Sequence, residues 1–446
     1  MSSNLNTLRK VGDPVKKFHF IGIKGAGMSA LAQVLHDLGH EVRGSDIDKE
    51  VFTEFQLRDK GIEILPFDES NIVEDYTYIA GNAFKDDHVE IKKAMEMGYE
   101  VIRYHKYLAD FMSGFTSIAV TGAHGKTSTT GLLSHVMNGD VETTFLIGDG
   151  TGFGIRESNY FTFESCEYKR HFLSYHPDYA IITNIDFDHP DYFKDLDDVV
   201  EAFKEMASQA KKAVIAYGGD DNISRIDVDV PLYTYGVEGD YDIVASNIRF
   251  AQGGTEFDVV IGDEYKDTFK IPMFGDHHVL NSLSVIAVCY LESLDMENIK
   301  AAFLTFGGVK RRFSETHLND MVIVDDYAHH PKEIKATLET ARKKYPGREI
   351  VSVFQPHTFS RTEKFLDEFA EALNGSDKTY IVDIFGSARE AAGDLSSADL
   401  VELIPDATVL HDDDISLLNN HPEAVIIFMG AGDIQKYEKR FTELLS

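Results

Sequence analysis

The chain has 446 residues, and 75 acidic against 43 basic side chains give a formal net charge of −32. That balance excludes a nucleic-acid or anionic-membrane binder, which needs a basic footprint, but leaves anionic small substrates open where the site is locally basic. Apolar residues (43%) and charged residues (26%) are at ordinary globular levels, and the length predicts about three domains. Two distant cysteines, Cys166 and Cys289, make neither a disulfide framework nor a CxxC metal site and suit a reducing, cytoplasmic setting. No segment approaches ~18 consecutive apolar residues, so neither a signal peptide nor a membrane span is expected.

FHFIGI (18–23) predicts a buried strand, followed by a helix carrying Leu31, Val34, Leu35 and Leu38 that Gly39 ends. Strand-like runs continue at EVRGS, YTYIA, EVI and TSIAVTG. Such alternation predicts a parallel sheet covered by helices. A boundary falls near Phe111 to Thr116, before a new strand, glycine loop and helix. Within 231–275, PLYTYG, DIVASNIRF, TEFDVVIG and DTFKIPMFG are split by turn signals such as Gln252-Gly253-Gly254, predicting appended antiparallel strands. Helices resume at Val279 to Leu291 and near Met296. MVIVDDY, IVSVFQP, KTYIVDIF and AVIIFMGAGDI build a third α/β unit. The acidic triplet Asp412-Asp413-Asp414 reads as a solvated loop.

The expected class is therefore α/β in three domains. An N-terminal Rossmann-like domain spans 1–113. A central P-loop ATPase-like domain with appended antiparallel strands spans 114–313. A C-terminal Rossmann-like domain spans 314–446.

AVTGAHGKTSTTGLL (119–133) runs strand, glycine loop, helix. Phosphate binding needs closely approaching backbone N–H groups, hence Gly122, Ala123, His124 and Gly125, at a helix N-terminus. Lys126 supplies a point charge, Thr127 a hydroxyl for magnesium, and Ser128 opens the helix. The strict GxxxxGK[ST] spacing is not met; the loop is the shorter GxxGKTS. GIKGAGMSALA (22–32) also opens a helix after a strand, again without strict GxGxxG spacing, and Asp46 follows at the distance used for ribose readout. This turn alone leaves a nicotinamide cofactor open.

These two turns, together with NIDFDHPDYF, GVKRRF, DDYAHHP, FQPHTFSRT and MGAGDI, resemble the Mur ligases, the ATP-dependent amide-forming enzymes of peptidoglycan precursor synthesis. The likeness runs from Phe18 to Ile434 and is strongest to the branch that joins L-alanine to UDP-N-acetylmuramate. It implies ATP as co-substrate, Mg2+ as cofactor, an acyl-phosphate intermediate, and a monomer or weak homodimer.

By resemblance, Gly25, Ala26, Gly27, Met28, Ser45, Asp46, Asn82 and Arg103 bind the UDP substrate. The 122–128 loop, Asn281, Arg312 and Asp326 bind ATP, while Arg311 could be a surface charge. Thr127, Glu164 and His189 hold metal, and Asn184 orients substrate or water. Tyr327, His329, His357 and Arg361 hold the amino acid; His357 accepts the ammonium proton and Arg361 pairs with the carboxylate. Lys126, Glu164, His189, His357 and Arg361 form the catalytic set. Lys204 reads as a solvated helix lysine.

Four departures stand against the family pattern. Cys166 replaces an aspartate, His278 replaces the first asparagine of HNxxN, Thr358 replaces an arginine, and RYHKYL at Arg103 lacks the usual acidic residue. Competing readings are a ligase of the same family that recycles muramyl peptides, a dinucleotide-dependent oxidoreductase, and a non-catalytic nucleotide binder.

Overall fold

A computed structural model describes residues 14–251, 253–386 and 395–445. The N-terminal stretch 1–13 and Gln252 of the expected turn lie outside the described residues.

The first sheet holds β1 (Lys17–Ile21), β2 (Glu41–Asp46), β3 (Glu63–Pro66), β4 (Tyr76–Ala80) and β5 (Val101–Arg103), all parallel, in the order β3-β2-β1-β4-β5. The strand order reverses between β1 and β4. A crevice opens there at the strand C-termini, the usual ligand position in such sheets. The Gly25 turn follows β1 and Asn82 follows β4, so both flank that crevice. The helix Ala26–Asp37 buries Leu31, Val34 and Leu35, as its spacing requires.

The second sheet comprises β6 (Thr116–Thr121), β7 (Thr143–Leu146), β8 (Gly152–Phe153), β9 (Tyr160–Glu164), β10 (Tyr179–Ile182), β11 (Ala213–Tyr217), β12 (Leu232–Val237), β13 (Ile243–Ala251), β14 (Gly254–Ile261) and β15 (Tyr265–Ile271). Its order is β15-β14-β13-β12-β11-β10-β6-β9-β7-β8. One expectation is corrected here. PLYTYG forms β12, which runs parallel to both β11 and β13; of the four expected strands, β13, β14 and β15 pair antiparallel, and β7 and β8 pair antiparallel at the other edge. Tyr235 of β12 is fully packed in the core beneath the helix Asp276–Leu291, so this strand extends the parallel sheet.

The third sheet has β16 (Ser314–Leu318), β17 (Met321–Asp326), β18 (Ile350–Phe354), β19 (Lys378–Ile381), β20 (Ala407–Val409) and β21 (Val425–Met429), ordered β16-β17-β21-β18-β19-β20. The central strands are continuous apolar runs buried on both faces, as parallel sheets demand. β16, unanticipated from sequence, pairs antiparallel at the edge. The acidic triplet opens a short 3-10 helix, Asp412–Asn420, and is exposed.

The three-domain α/β architecture thus stands. No helix among the described residues is long and apolar enough to cross a membrane.

Candidate functional site

The 122–125 loop lies between the C-terminal ends of β9 and β10, the two neighbours of β6. Gly122 has φ +139°, and an added Cβ would lie 2.0 Å from the Thr183 hydroxyl. Gly125, at φ +81°, caps the helix Lys126–Met137 in the left-handed region. Both positions therefore require glycine. Asn184 clamps the loop: its Oδ1 accepts the His124 N–H and its Nδ2 donates to the His124 carbonyl, both at 2.9 Å. Its amide is thus committed to shaping the loop rather than to a substrate or water.

Lys126 Nζ reaches back to the carbonyls of Gly122 (2.5 Å) and Ala123 (3.1 Å) and to Glu167 (3.0 Å). Burial alone would raise the Glu167 carboxyl, but Lys126 and His189 beside it hold it below the ordinary range. Burial would lower the Lys126 ammonium; Glu167 and the other groups around it push it up instead. The lysine is therefore held charged at the loop.

Thr127 Oγ1 donates to Glu164 Oε2 at 2.7 Å. Glu164 is pushed up by burial, against the pull of Lys126 and Thr127. An added Cβ on Gly148 would stand 2.1 Å from Glu164 Oε2, so this glycine makes the space for the carboxylate. Two oxygen donors side by side on a desolvated carboxylate suit a hard cation such as Mg2+. His189, third of the expected metal set, faces Glu167 (3.5 Å) and Asp188 (3.8 Å). Burial pulls its pKa down, but Cys166, Glu167 and Asp188 outweigh that and push it up to about 10.

Six expected ATP residues meet in one cavity of about 250 Å³: His124, Gly125, Ser128, Asn281, Arg312 and Asp326. Gly122, Ala123, Lys126 and Thr127 adjoin it through the loop. Sequence reasoning missed the aromatic wall, Tyr217 at the end of β11 and Tyr235 within β12, in two strands of ordinary β pattern. His278 also lines this cavity; burial and the adjacent, tilted His277 ring hold it neutral. Asp326 accepts the N–H of Phe313 (3.0 Å) and Ala328 (2.8 Å), and burial pushes it up to about 6. Arg311 is not a surface charge. It is buried on Asp325 (3.3 Å) and the Gly430 carbonyl (2.7 Å), while its neighbour Arg312 turns to the cavity and Glu333 (3.5 Å).

The β17 and β18 termini bring the acceptor-side residues together. Tyr327 and His329 rings lie 5.3 Å apart, and His329 and His357 rings 6.1 Å apart. His357 Nδ1 is 3.4 Å from Arg361 Nη1. Arg361 is buried on Asp188, with Nη2 to Oδ1 at 2.8 Å and Nε at 3.2 Å. Glu333 binds His329 (3.1 Å) and approaches His124 (3.7 Å). Glu167, Asp188 and Glu333 carried no sequence signal beyond their closeness to motif residues.

In the first domain, Asp46 accepts the N–H of Lys24 (2.7 Å) and Ile47 (2.8 Å). Gly27 leaves room for the Tyr104 hydroxyl, which an added Cβ would meet at 2.6 Å. Asn82 links His105 (2.8 Å) to His171 (3.2 Å). Arg103 donates to the Phe84 carbonyl at 2.7 Å and pairs with Asp86. Ser45 does not face the crevice: it is fully buried, with its hydroxyl on Glu90 and its carbonyl receiving the N–H of Gly22 and Ile23. Its place in the fold is to hold the turn. Lys204 pairs with Glu201 along its own helix at 2.7 Å.

Three family models match in series. They are described as the Mur ligase family catalytic domain (residues 17–116), the Mur ligase middle domain (120–289) and the Mur ligase glutamate ligase domain (311–432). The chain belongs to the Mur ligase family. Mur ligases are ATP-dependent ligases of peptidoglycan synthesis, so the oxidoreductase reading falls.

Among solved structures, the chain is similar to the UDP-N-acetylmuramate–alanine ligase of Thermotoga maritima, with 27% identity, a TM-score of 0.81, and coverage of 97% of this chain and 99% of that one. It is also similar to a murein peptide ligase of Psychrobacter arcticus, with 25% identity, TM-score 0.71, and coverage of 96% and 98%. A MurF ligase of Thermotoga maritima in complex with ADP shares the fold at 17% identity, TM-score 0.63, and coverage of 90% and 94%.

Proposed function

We infer that this Mur ligase joins L-alanine to the carboxylate of UDP-N-acetylmuramate, using ATP and Mg2+, in the cytoplasm. The observation that carries this reading is convergence. The phosphate loop, Arg312 and the cluster Tyr327, His329, His357 and Arg361 meet where the middle and last domains join.

The muramyl nucleotide lies against the Gly25 turn at the β1/β4 crevice, with helix dipole and backbone N–H groups facing its phosphates. Asp46, Asn82 and Arg103 sit around the same crevice. ATP fills the cavity between Tyr217, Asn281 and Asp326, with Lys126 and Arg312 on its phosphates. Thr127 and Glu164, with His189 nearby, would hold Mg2+, which when bound would supply charge neutralisation on the transferred phosphoryl group.

The γ-phosphoryl group passes to the muramyl carboxylate, and ADP leaves. Arg361 holds the alanine carboxylate, and His357 takes the ammonium proton, freeing the lone pair. The amine adds to the acyl carbon, and phosphate departs as the amide forms. Held geometry and local positive charge do most of this work.

The GAGM turn and the closer likeness to the alanine ligase favour alanine over a preformed peptide. The deciding measurement is phosphate release with ATP, Mg2+ and UDP-N-acetylmuramate, offering alanine, glycine, serine and a tripeptide separately. Release with alanine is expected. Release only with tripeptide selects the recycling enzyme, and silence with all four removes the substrate assignment. Lys126→Ala should abolish turnover with the circular dichroism spectrum unchanged.

A further inference from the structure

The imidazole proposed to take the ammonium proton has a neighbour that the sequence did not single out. His357 pairs as an isolated parallel bridge with Phe385, in the segment after β19. The Phe385 N–H donates to the Pro356 carbonyl (2.8 Å), and the Phe385 carbonyl accepts the Thr358 N–H (3.0 Å). These two bonds bracket His357. The two rings lie nearly parallel, with 11° between planes and 5.7 Å between centroids. We propose that Phe385 is a positioning residue of the amide-forming step, setting the plane in which His357 presents its nitrogen to the incoming amine. This rests on the ligase reading, with His357 as the proton acceptor within it.

The plane needs setting because the second side-chain torsion of histidine is broad, so the backbone alone does not fix the ring. Neighbours must do so. Phe385 covers one face, the His329 ring stands edge-on at 6.1 Å and 79°, and Arg361 Nη1 meets Nδ1 at 3.4 Å. His329 and Arg361 are also proposed to meet the amino acid. Phe385 is left as the neighbour with no second task.

The Phe385 ring is held in its turn. Gly432, after β21, leaves the space in which it packs: an added Cβ would lie 2.5 Å from the ring carbon Cγ. Lys49 Nζ, from the turn after β2, lies 5.7 Å from the ring centroid, a cation–π contact that the first domain makes with the last. Thr358, bonded to the Phe385 carbonyl, stands at φ +69°, an uncommon backbone for a β-branched residue. The chain on both sides of His357 is therefore pinned to Phe385.

The test separates proton acceptance from the rest of the reaction. The full-length protein, with ATP, Mg2+ and UDP-N-acetylmuramate, is offered either alanine or hydroxylamine. Hydroxylamine is largely unprotonated at neutral pH and traps an acyl phosphate as a hydroxamate. Its nitrogen bonds to the acyl carbon, the bond from that carbon to the phosphate oxygen breaks, phosphate leaves with the electron pair, and one nitrogen proton passes to solvent. No ammonium proton has to be removed first.

In Phe385→Leu, kcat for alanine-dependent phosphate release should fall at least about tenfold, with KM for ATP and UDP-N-acetylmuramate unchanged, because misplacing a reacting group costs on that scale. Hydroxamate formation should fall by less than about twofold, since it skips that proton. Phe385→Tyr keeps a ring to stack and should restore most of the alanine rate. A leucine variant as fast as the wild type, a leucine variant that loses both reactions equally, or a tyrosine variant no better than leucine overturns the positioning role. Hydroxamate without alanine-dependent release in the wild type removes the alanine assignment instead, and the same comparison with the tripeptide as acceptor then decides on Phe385. Silence of the wild type with every amine overturns the ligase reading and the role of Phe385 together.

Discussion

Asp188 and Arg361 stand 173 residues apart in sequence, yet the guanidinium Nη2 of one lies 2.8 Å from the carboxylate Oδ1 of the other, and both are buried. Asp188 belongs to the loop after β10 and Arg361 to the segment after β18. The residue proposed for the alanine carboxylate is thus held by a carboxylate of the middle domain. Asp188→Asn should lower kcat/KM for alanine by about 100-fold, mostly through KM, because misplacing a positioning group costs on that scale. Steady-state kinetics with varied alanine check this; an unchanged KM removes Asp188 from the aiming of Arg361.

Gly148 makes the second prediction. Its missing side chain is the space Glu164 occupies, with an added Cβ 2.1 Å from Oε2. Gly148→Ala should displace that carboxylate and raise the Mg2+ concentration for half-maximal rate by about tenfold or more, while the fold survives. A magnesium titration of the rate, beside a melting curve, separates the two effects. An unchanged magnesium requirement would show that Glu164 does not hold the ion.

The alternation of strands and helices, both glycine turns and the three-sheet plan were legible from local pattern, because each is set by neighbours in sequence. The ion pairs were not. Lys126–Glu167, Arg361–Asp188 and His124–Glu333 join residues 41, 173 and 209 positions apart, in a chain with 75 acidic residues from which to choose. Arg311 and Arg312 differ by one position, and only the buried partner Asp325 decides which of them faces inward. The parallel run of β12 was hidden because PLYTYG carries the same β signal whichever way its neighbours run.

His124 supplies a pH dependence. Burial lowers its pKa, but Asp186 and Glu333 outweigh this and push it up to about 9. The folded value exceeds the ordinary value near 6.5, so the stabilisation is full below about pH 6.5 and is lost as pH rises through about 9. Its upper bound is about 3 kcal/mol. Melting temperatures of the nucleotide-free protein should fall more steeply from pH 6.5 to 10 than those of His124→Asn. Parallel curves would assign the imidazole no such part.

Asp326 has the opposite consequence. Its carboxyl is pushed up by burial to about 6, above the unfolded value, so ionisation penalises the fold as pH rises from about 4 to 6 and the penalty stays constant above. Asp326→Asn should therefore remove the loss of stability between about pH 4 and 6, while giving up one of the two N–H bonds from Phe313 and Ala328, and weaken ATP binding if the carboxylate holds the ribose. Urea unfolding and nucleotide titration on the same variant test both halves.

The grip on the His124 peptide reaches further than the nucleotide. Asn184 fixes its backbone from one side, and its ring reaches Asp186 on its own domain and Glu333 on the next. If the amino acid docks against His329 as proposed, any rearrangement of Glu333 would therefore be felt at the phosphate loop. Thermodynamic linkage makes that reciprocal: whatever factor ATP applies to the affinity for the amino acid, the amino acid applies to the affinity for ATP. One imidazole would then tie the two binding sites together without favouring either order of addition.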